Sequence, residues 1–416
     1  MAVNSNLSPV AYLFLITRHL SLFRYTMSWQ DIIGQNLQVS ILQKAVLSDR
    51  LAHAYLFTGP EGTGKESVAF ELAKVLNCEN PDADNQTGSC GTCRSCREID
   101  NFMHPDIEYV FPVESALLEK NDPAKAENKR TTEARERYES LIEKKKQNPF
   151  FTPSMDRSMG ILTEQITSLQ QKASFMPAEN GKKVFVLSQP EKLHPSAANK
   201  LLKLLEEPPG HILFILVSSR PESVLPTIRS RCQILKFSRI KPSDIENWLQ
   251  NTHPEFQTEV QRFIVNFSRG NLGIATEMID SFKEGRHETF EGIATRDRAI
   301  DYLRKLLSPG KLAEAITDTE NISKSFGKQE MVTFLGSLLL FFQDIHHKII
   351  NPAWDSFNNP DLGTTIDRFA KSFPNPDFFA ISTITEEAIR AIKRNVNPLL
   401  TLSVYSIRLK NLVGRS

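Results

Sequence analysis

Long apolar runs are missing from this chain, and so is any excess of one charge. No stretch reaches the roughly 18 apolar residues that a membrane-spanning helix needs. The best candidate, Val10 to Ile16, is short and is followed closely by Arg18 and His19. A secretory signal carries its charge before the apolar run and small residues after it, so the order is wrong for one. Lys plus Arg number 50 and Asp plus Glu 49, for a net charge of +1. Such a balance provides no global field to draw in nucleic acid or an anionic membrane, and any such contact must come from a local patch or a partner. Cysteine is also scarce. There are 5 in 416 residues, too few for a disulfide scaffold.

The cysteines are concentrated, however. Cys78, Cys90, Cys93 and Cys96 share one short stretch, and Cys232 stands alone. The two x2 spacings place thiolates around a tight turn, and Cys78 returns from the end of the preceding helix. Four thiolates suit tetrahedral Zn²⁺ with no open position, which makes a structural site. A ferredoxin-type iron–sulfur cluster would place its next cysteine at position 100 with a proline after it. Asp100 stands there, and Zn²⁺ is the better reading.

At 416 residues, with 40% hydrophobic and 24% charged residues, the chain has a globular composition and room for two or three domains. Residues 1–26 differ from the rest and precede a second start at Met27, which suggests an N-terminal extension or a mis-assigned start. Apolar residues Leu37, Ile41, Leu42 and Ala45 recur at helical spacing. Strands are expected at Ala54–Thr58, Val184–Leu187 and Ile212–Val217. Helices are expected at 65–76 and 197–206, the second stopped by Pro208-Pro209. Alternating strands and helices predict a parallel sheet. Lys120 to Gln147 is dense in charge and reads as a solvated helix or an insertion. Beyond about residue 240 only helical patterns remain, among them Met331 to Ile350 and Thr385 to Val396.

The first strand runs into Gly59-Pro-Glu-Gly62-Thr-Gly64-Lys65, a P-loop pattern. Glycines let the backbone N–H groups turn toward a phosphate, and the next helix adds its positive end. Lys65 would reach the outer phosphates. The next position calls for a Ser or Thr hydroxyl on Mg²⁺, but Glu66 stands there. The second strand should end in an acidic residue that positions the metal. Ser188 and Gln189 follow it instead, and Glu191 is displaced. Both changes point to a nucleotide fold that has lost its hydrolytic geometry.

Together with Asp31-Ile-Ile-Gly34-Gln35, His53-Ala-Tyr-Leu-Phe57, His104-Pro-Asp106, Asn199 to Pro209 and Arg229-Ser-Arg-Cys232, these motifs resemble the AAA+ clamp-loader family of bacterial DNA polymerase III. The resemblance implies an α/β AAA+ P-loop module over 27–240, with a parallel sheet, flanking helices, a zinc module at 78–96 and a charged insertion at about 114–150. It further implies a small helical lid at 241–288 and an all-α collar at 289–416. Hydrolysing members have a lid motif like Gly-Ser-x-Arg, whereas here Gly270-Asn-Leu-Gly273 leaves Gly273 where the arginine would be. The departures are most similar to the non-hydrolysing delta-prime branch, although Lys65 is kept and nucleotide binding at Gly59, Gly62, Gly64 and Lys65 stays open. The family reading assigns Arg231 to a neighbouring subunit's ATP, acting in trans, and Arg229 to a structural or interface role. Implied partners are gamma/tau and delta subunits in a hetero-oligomeric ring, the sliding clamp, and primed DNA through the complex. The implied setting is the cytoplasmic replisome at the nucleoid, within a DNA-directed DNA polymerase holoenzyme. Two alternatives stand beside this: an ATP-hydrolysing gamma/tau-like subunit, and a zinc-dependent DNA-binding adaptor.

Overall fold

The computed structural model describes residues 28–81, 88–118, 129–155, 157–178, 181–284, 291–355 and 357–413. The expected N-terminal extension lies outside them, as does the segment 119–128 of the charged insertion. The chain divides into two compact units, one of residues 1–245 with 270–274, the other of residues 246–269 with 275–416.

The first unit opens with α1 (Asn36–Leu47), β1 (Ala54–Thr58), α2 (Lys65–Asn77), α3 (Arg94–Asp100) and β2 (Ile107–Val110). It continues through α4 (Lys129–Gln147), α5 (Thr163–Ala173), β3 (Lys183–Ser188), α6 (Pro195–Glu206), β4 (Ile212–Ser218), α7 (Pro226–Arg229) and β5 (Gln233–Lys236). The strands form one sheet in the order β2-β3-β4-β1-β5, and every pairing is parallel. β1, β3 and β4 are buried along their whole length. Covered on both faces, they read as unbroken apolar runs, which is why the sequence shows them. One face packs Leu56, Phe185, Leu187, Phe214 and Leu216 against Ile166, Leu169, Leu201 and Leu205 of α5 and α6.

Two strands escaped the sequence reading. β2 and β5 are four-residue edge strands, and β5 buries only Leu235. An edge strand with little buried surface carries little apolar pattern. The face of α1 also differs from expectation. Gln38, Val39 and Leu42 are buried, whereas Leu37 and Ile41 are exposed. The amides decide the orientation: Gln38 Nε2 donates to the Lys236 carbonyl at 2.5 Å and Gln35 Nε2 to that of Ser238 at 2.8 Å. They satisfy carbonyls on and just beyond the open edge of β5.

Beyond β5 the described residues are helical: α8 (Pro242–Thr252), α9 (Thr258–Ser268), α10 (Leu272–Lys283), α11 (Glu291–Leu307), α12 (Leu312–Ser325), α13 (Lys328–Ile350), α14 (Gly363–Ser372), α15 (Phe378–Lys393) and α16 (Pro398–Val413). The second unit is built on α13, whose Phe334, Leu338, Phe341 and Phe342 pack with Tyr302, Ile381, Leu402 and Tyr405. Its buried hydroxyls are paired, Tyr302 with Thr319 at 3.0 Å and Tyr405 with Thr385 at 3.2 Å. No described helix is long and apolar enough to cross a membrane.

Candidate functional site: a P-loop and a four-cysteine module on one helix

Helix α2 carries both candidate sites, the glycine loop at its start and the cysteine module at its end. The loop leaves β1 at Gly59, whose φ is +146°. A Cβ there would collide with the carbonyl oxygen of Phe237, so only glycine fits. Gly62 is similarly constrained by the side-chain amide of Asn271, and Leu272 N–H donates to the Gly62 carbonyl at 2.8 Å. The Lys65 ammonium folds back onto its own loop, donating to the carbonyls of Gly59 at 2.8 Å and of Pro60. Burial pulls its pKa down to about 8, against the raising pull of Glu66, Glu61 and Glu191.

Glu66 is enclosed by donors. Ser188 Oγ reaches its Oε1 at 2.5 Å, and Tyr109 Oη reaches its Oε2 at 2.8 Å. Lys145 Nζ, from the last turn of α4, makes an ion pair with Oε2 at 2.5 Å. Ser188, predicted as the residue that fails to supply an acid, is thus a hydrogen-bond donor to a misplaced one. Gln189, in a left-handed conformation, turns its amide away to the Pro153 carbonyl at 3.1 Å. Glu191 accepts from Ser218 Oγ at 2.8 Å. Burial lowers the pKa of Lys145 while Glu66 opposes the shift, and burial together with the neighbouring Glu66 carboxylate raises that of Tyr109.

The expectation of a solvated helix at 120–147 is corrected here. Only one side of α4 faces water. Tyr138 stacks on Phe111 with rings 5.6 Å apart and an interplanar angle of 2°. Leu141 and Ile142 pack on the same small core, and Arg137 grips Glu114 through two nitrogens at 3.0 and 2.9 Å.

At the other end of α2, the Sγ atoms of Cys78, Cys90, Cys93 and Cys96 all lie within 4.8 Å of one another. None of the four is in a disulfide. Backbone N–H groups point at the sulfurs: Cys90 N to Cys78 Sγ at 3.3 Å, Cys93 N to Cys90 Sγ at 3.3 Å and Cys96 N to Cys93 Sγ at 3.4 Å. Burial opposes charge on Cys90, yet the N–H groups of Thr92 and Cys93 outweigh it and pull that thiol down to about 6. Burial and the neighbouring sulfurs push Cys96 up. Four clustered sulfurs with oriented N–H donors fit a metal ion, and a cation at the centre would relieve their mutual repulsion. Cys232 lies apart, buried in the sheet core, its thiol pushed up to about 12 by burial.

A buried charge cluster lies beside the cysteine module. Lys74 Nζ lies 3.0 Å from Glu71 and 3.2 Å from Asp100 of α3, and Ser89 Oγ donates to Glu71 at 2.9 Å. The His104-Pro-Asp106 motif is structural in the same sense: Asp106 pairs with Lys183 at 2.8 Å and accepts from Ala178 N–H at 2.8 Å.

Arg231 is half-buried just beyond α7. Its Nη2 meets Glu206 at 2.7 Å and its Nη1 the Thr227 carbonyl at 2.9 Å. Arg229 donates to the Pro221 carbonyl at 3.2 Å. The structure thus draws Ser188 and Glu66 together with Tyr109 and Lys145, two residues that sequence reasoning passed over. Lys145 sits in a run of three lysines with nothing to mark it.

A family model described as "DNA polymerase III, delta subunit" matches residues 34–241, half of the chain. DNA polymerase III subunit delta' of Bacillus subtilis is 29% identical over 262 residues, 62% of this chain and 64% of that protein. DNA polymerase III subunit tau of the same organism is 27% identical over 330 residues, 79% of this chain and 45% of that protein. The chain therefore covers less than two thirds of either relative. A crystal structure of a DNA polymerase III gamma subunit-related protein from Thermotoga maritima aligns with 90% of this chain and 99% of its own, at 13% identity and a TM-score of 0.39, too loose a likeness to carry an argument. On the match to its P-loop half, the chain belongs to the DNA polymerase III delta-subunit family, among the clamp-loader subunits.

Proposed function

We propose that the chain is a delta-prime-type, non-hydrolysing stator of the clamp loader, which helps place the sliding clamp on primed DNA. In this reading it works within a hetero-oligomeric ring with gamma/tau and delta subunits. Residues 241–288 act as the lid and 289–416 as the collar. Arg231 acts on the ATP of a neighbour, where a guanidinium stabilises charge on the transferred phosphoryl group. The observation that carries the reading is Glu66, a carboxylate where a Mg²⁺-holding hydroxyl belongs, bonded to Ser188 at the end of β3 where an acid belongs. The cysteine module holds structural Zn²⁺ through Cys78, Cys90, Cys93 and Cys96. The replisome of the cytoplasm is the corresponding place of action.

A second reading, an ATP-hydrolysing gamma/tau-like subunit, draws on the longer match to tau, 79% of this chain against 62% for delta'. Steady-state ATPase of the purified chain with Mg²⁺ separates the two. The stator reading expects turnover indistinguishable from a Lys65→Ala variant. Turnover that disappears with Lys65→Ala would select the motor.

A further inference from the structure

We propose that the Lys145 ammonium is a resident cation of the P-loop, standing beside residue 66 in place of a magnesium ion and closing the loop to magnesium nucleotides. This deepens the stator reading at the same loop and rests on it.

An ammonium has three N–H donors, and Lys145 uses them on Glu66 Oε2 at 2.5 Å and the carbonyls of Pro149 at 2.8 Å and Phe151 at 2.6 Å. Three oxygens around one buried positive charge is what a cation site looks like. A buried Glu66 left without a cation would be strongly unfavourable, because removing one partner of a buried pair strands the other. The two carbonyls do more than satisfy the ammonium. They flank Phe150 and hold it against the loop, where a Cβ on Gly64 would lie 3.8 Å from its ring. Ser67 Oγ fastens the same segment, donating to the Pro149 carbonyl at 3.2 Å, and Asn148 Nδ2 ties it to the Gly273 carbonyl at 3.2 Å. Thr63, Gly64, Lys65 and Glu66 are all buried in this arrangement. Phosphate binding by a P-loop needs those N–H groups open to the ligand. A magnesium ion arriving there would also meet an ammonium already neutralising the carboxylate it would bind, and like charges in a low-dielectric site repel strongly. The charged helix α4 therefore delivers a plug to the loop.

The test uses the full chain and a fluorescent ADP analogue, titrated with Mg²⁺ present and then with Mg²⁺ chelated. Wild type is expected to show no saturable Mg²⁺-dependent binding. Glu66→Thr combined with Lys145→Ala is expected to bind at least about tenfold more tightly. Wild type binding the magnesium nucleotide as tightly as the double variant would overturn the inference, yet would leave the stator reading standing provided no turnover followed. A second measurement guards against a double variant that fails to fold. In urea unfolding, Lys145→Ala is expected to lower the midpoint clearly, whereas Lys144→Ala, on the exposed side of the same turn, leaves it in place. Coincident midpoints would also overturn the inference.

Discussion

Residue 66 decides what kind of loop follows β1. A threonine there would offer a neutral hydroxyl to Mg²⁺, whereas Glu66 brings a charge that the fold must neutralise, and it does so with Ser188, Tyr109 and Lys145. At the far end of the same helix, the four clustered sulfurs would as thiolates be neutralised by a metal ion in the same way. Cys93→Ser is expected to lower zinc content from about one per chain to none. Its melting temperature should fall by several degrees, at roughly 2–4 °C for each kcal/mol lost. Metal analysis of freshly purified, reduced protein checks the first outcome, and wild-type protein free of zinc would remove the metal from the account. At this scale the spacing of the cysteines foretold that their sulfurs would meet, and the departures at Glu66 and Ser188 could be read from their places after β1 and β3, though not that the two would bond to each other. Lys145 was not, because its role depends on where the end of α4 lands, and Lys144, Lys145 and Lys146 look alike until one is buried.

Elements with both faces covered announce themselves, and edges do not. β1, β3 and β4 were readable as apolar runs, while β2 and β5 were not. α1 misled because Gln35 and Gln38 reach the β5 edge and turn the apolar Leu37 and Ile41 outward. Helix α16 shows the converse. Leu402, Tyr405 and Leu409 enter the core of the second unit, but Leu400, Val404 and Ile407 are exposed at 60%, 47% and 65%. Spacings of four and three place these residues on one side of the helix. In the collar reading this stripe meets neighbouring subunits. Leu400→Glu with Ile407→Glu is therefore expected to shift the melting temperature by no more than about 2 °C, since exposed substitutions cost little, yet to abolish co-elution with the other loader subunits on a sizing column. Normal co-elution of this variant would take the stripe out of the interface.

As a whole, the molecule couples a nucleotide fold without its metal ligands to a helical unit with a separate core. In the stator reading proposed above, such a chain takes part in another subunit's reaction, through Arg231. Its guanidinium is now held by Glu206 at 2.7 Å, a half-exposed pair of the kind worth little in stability and readily exchanged for a phosphate. The most direct test is the ATPase of a reconstituted clamp loader carrying Arg231→Ala, measured with clamp and primed DNA beside a sizing run. The account predicts an intact complex whose turnover falls by at least about tenfold, with Arg231→Lys recovering only part, since an ammonium lacks the planar fork. Wild-type turnover in an intact Arg231→Ala complex would contradict it.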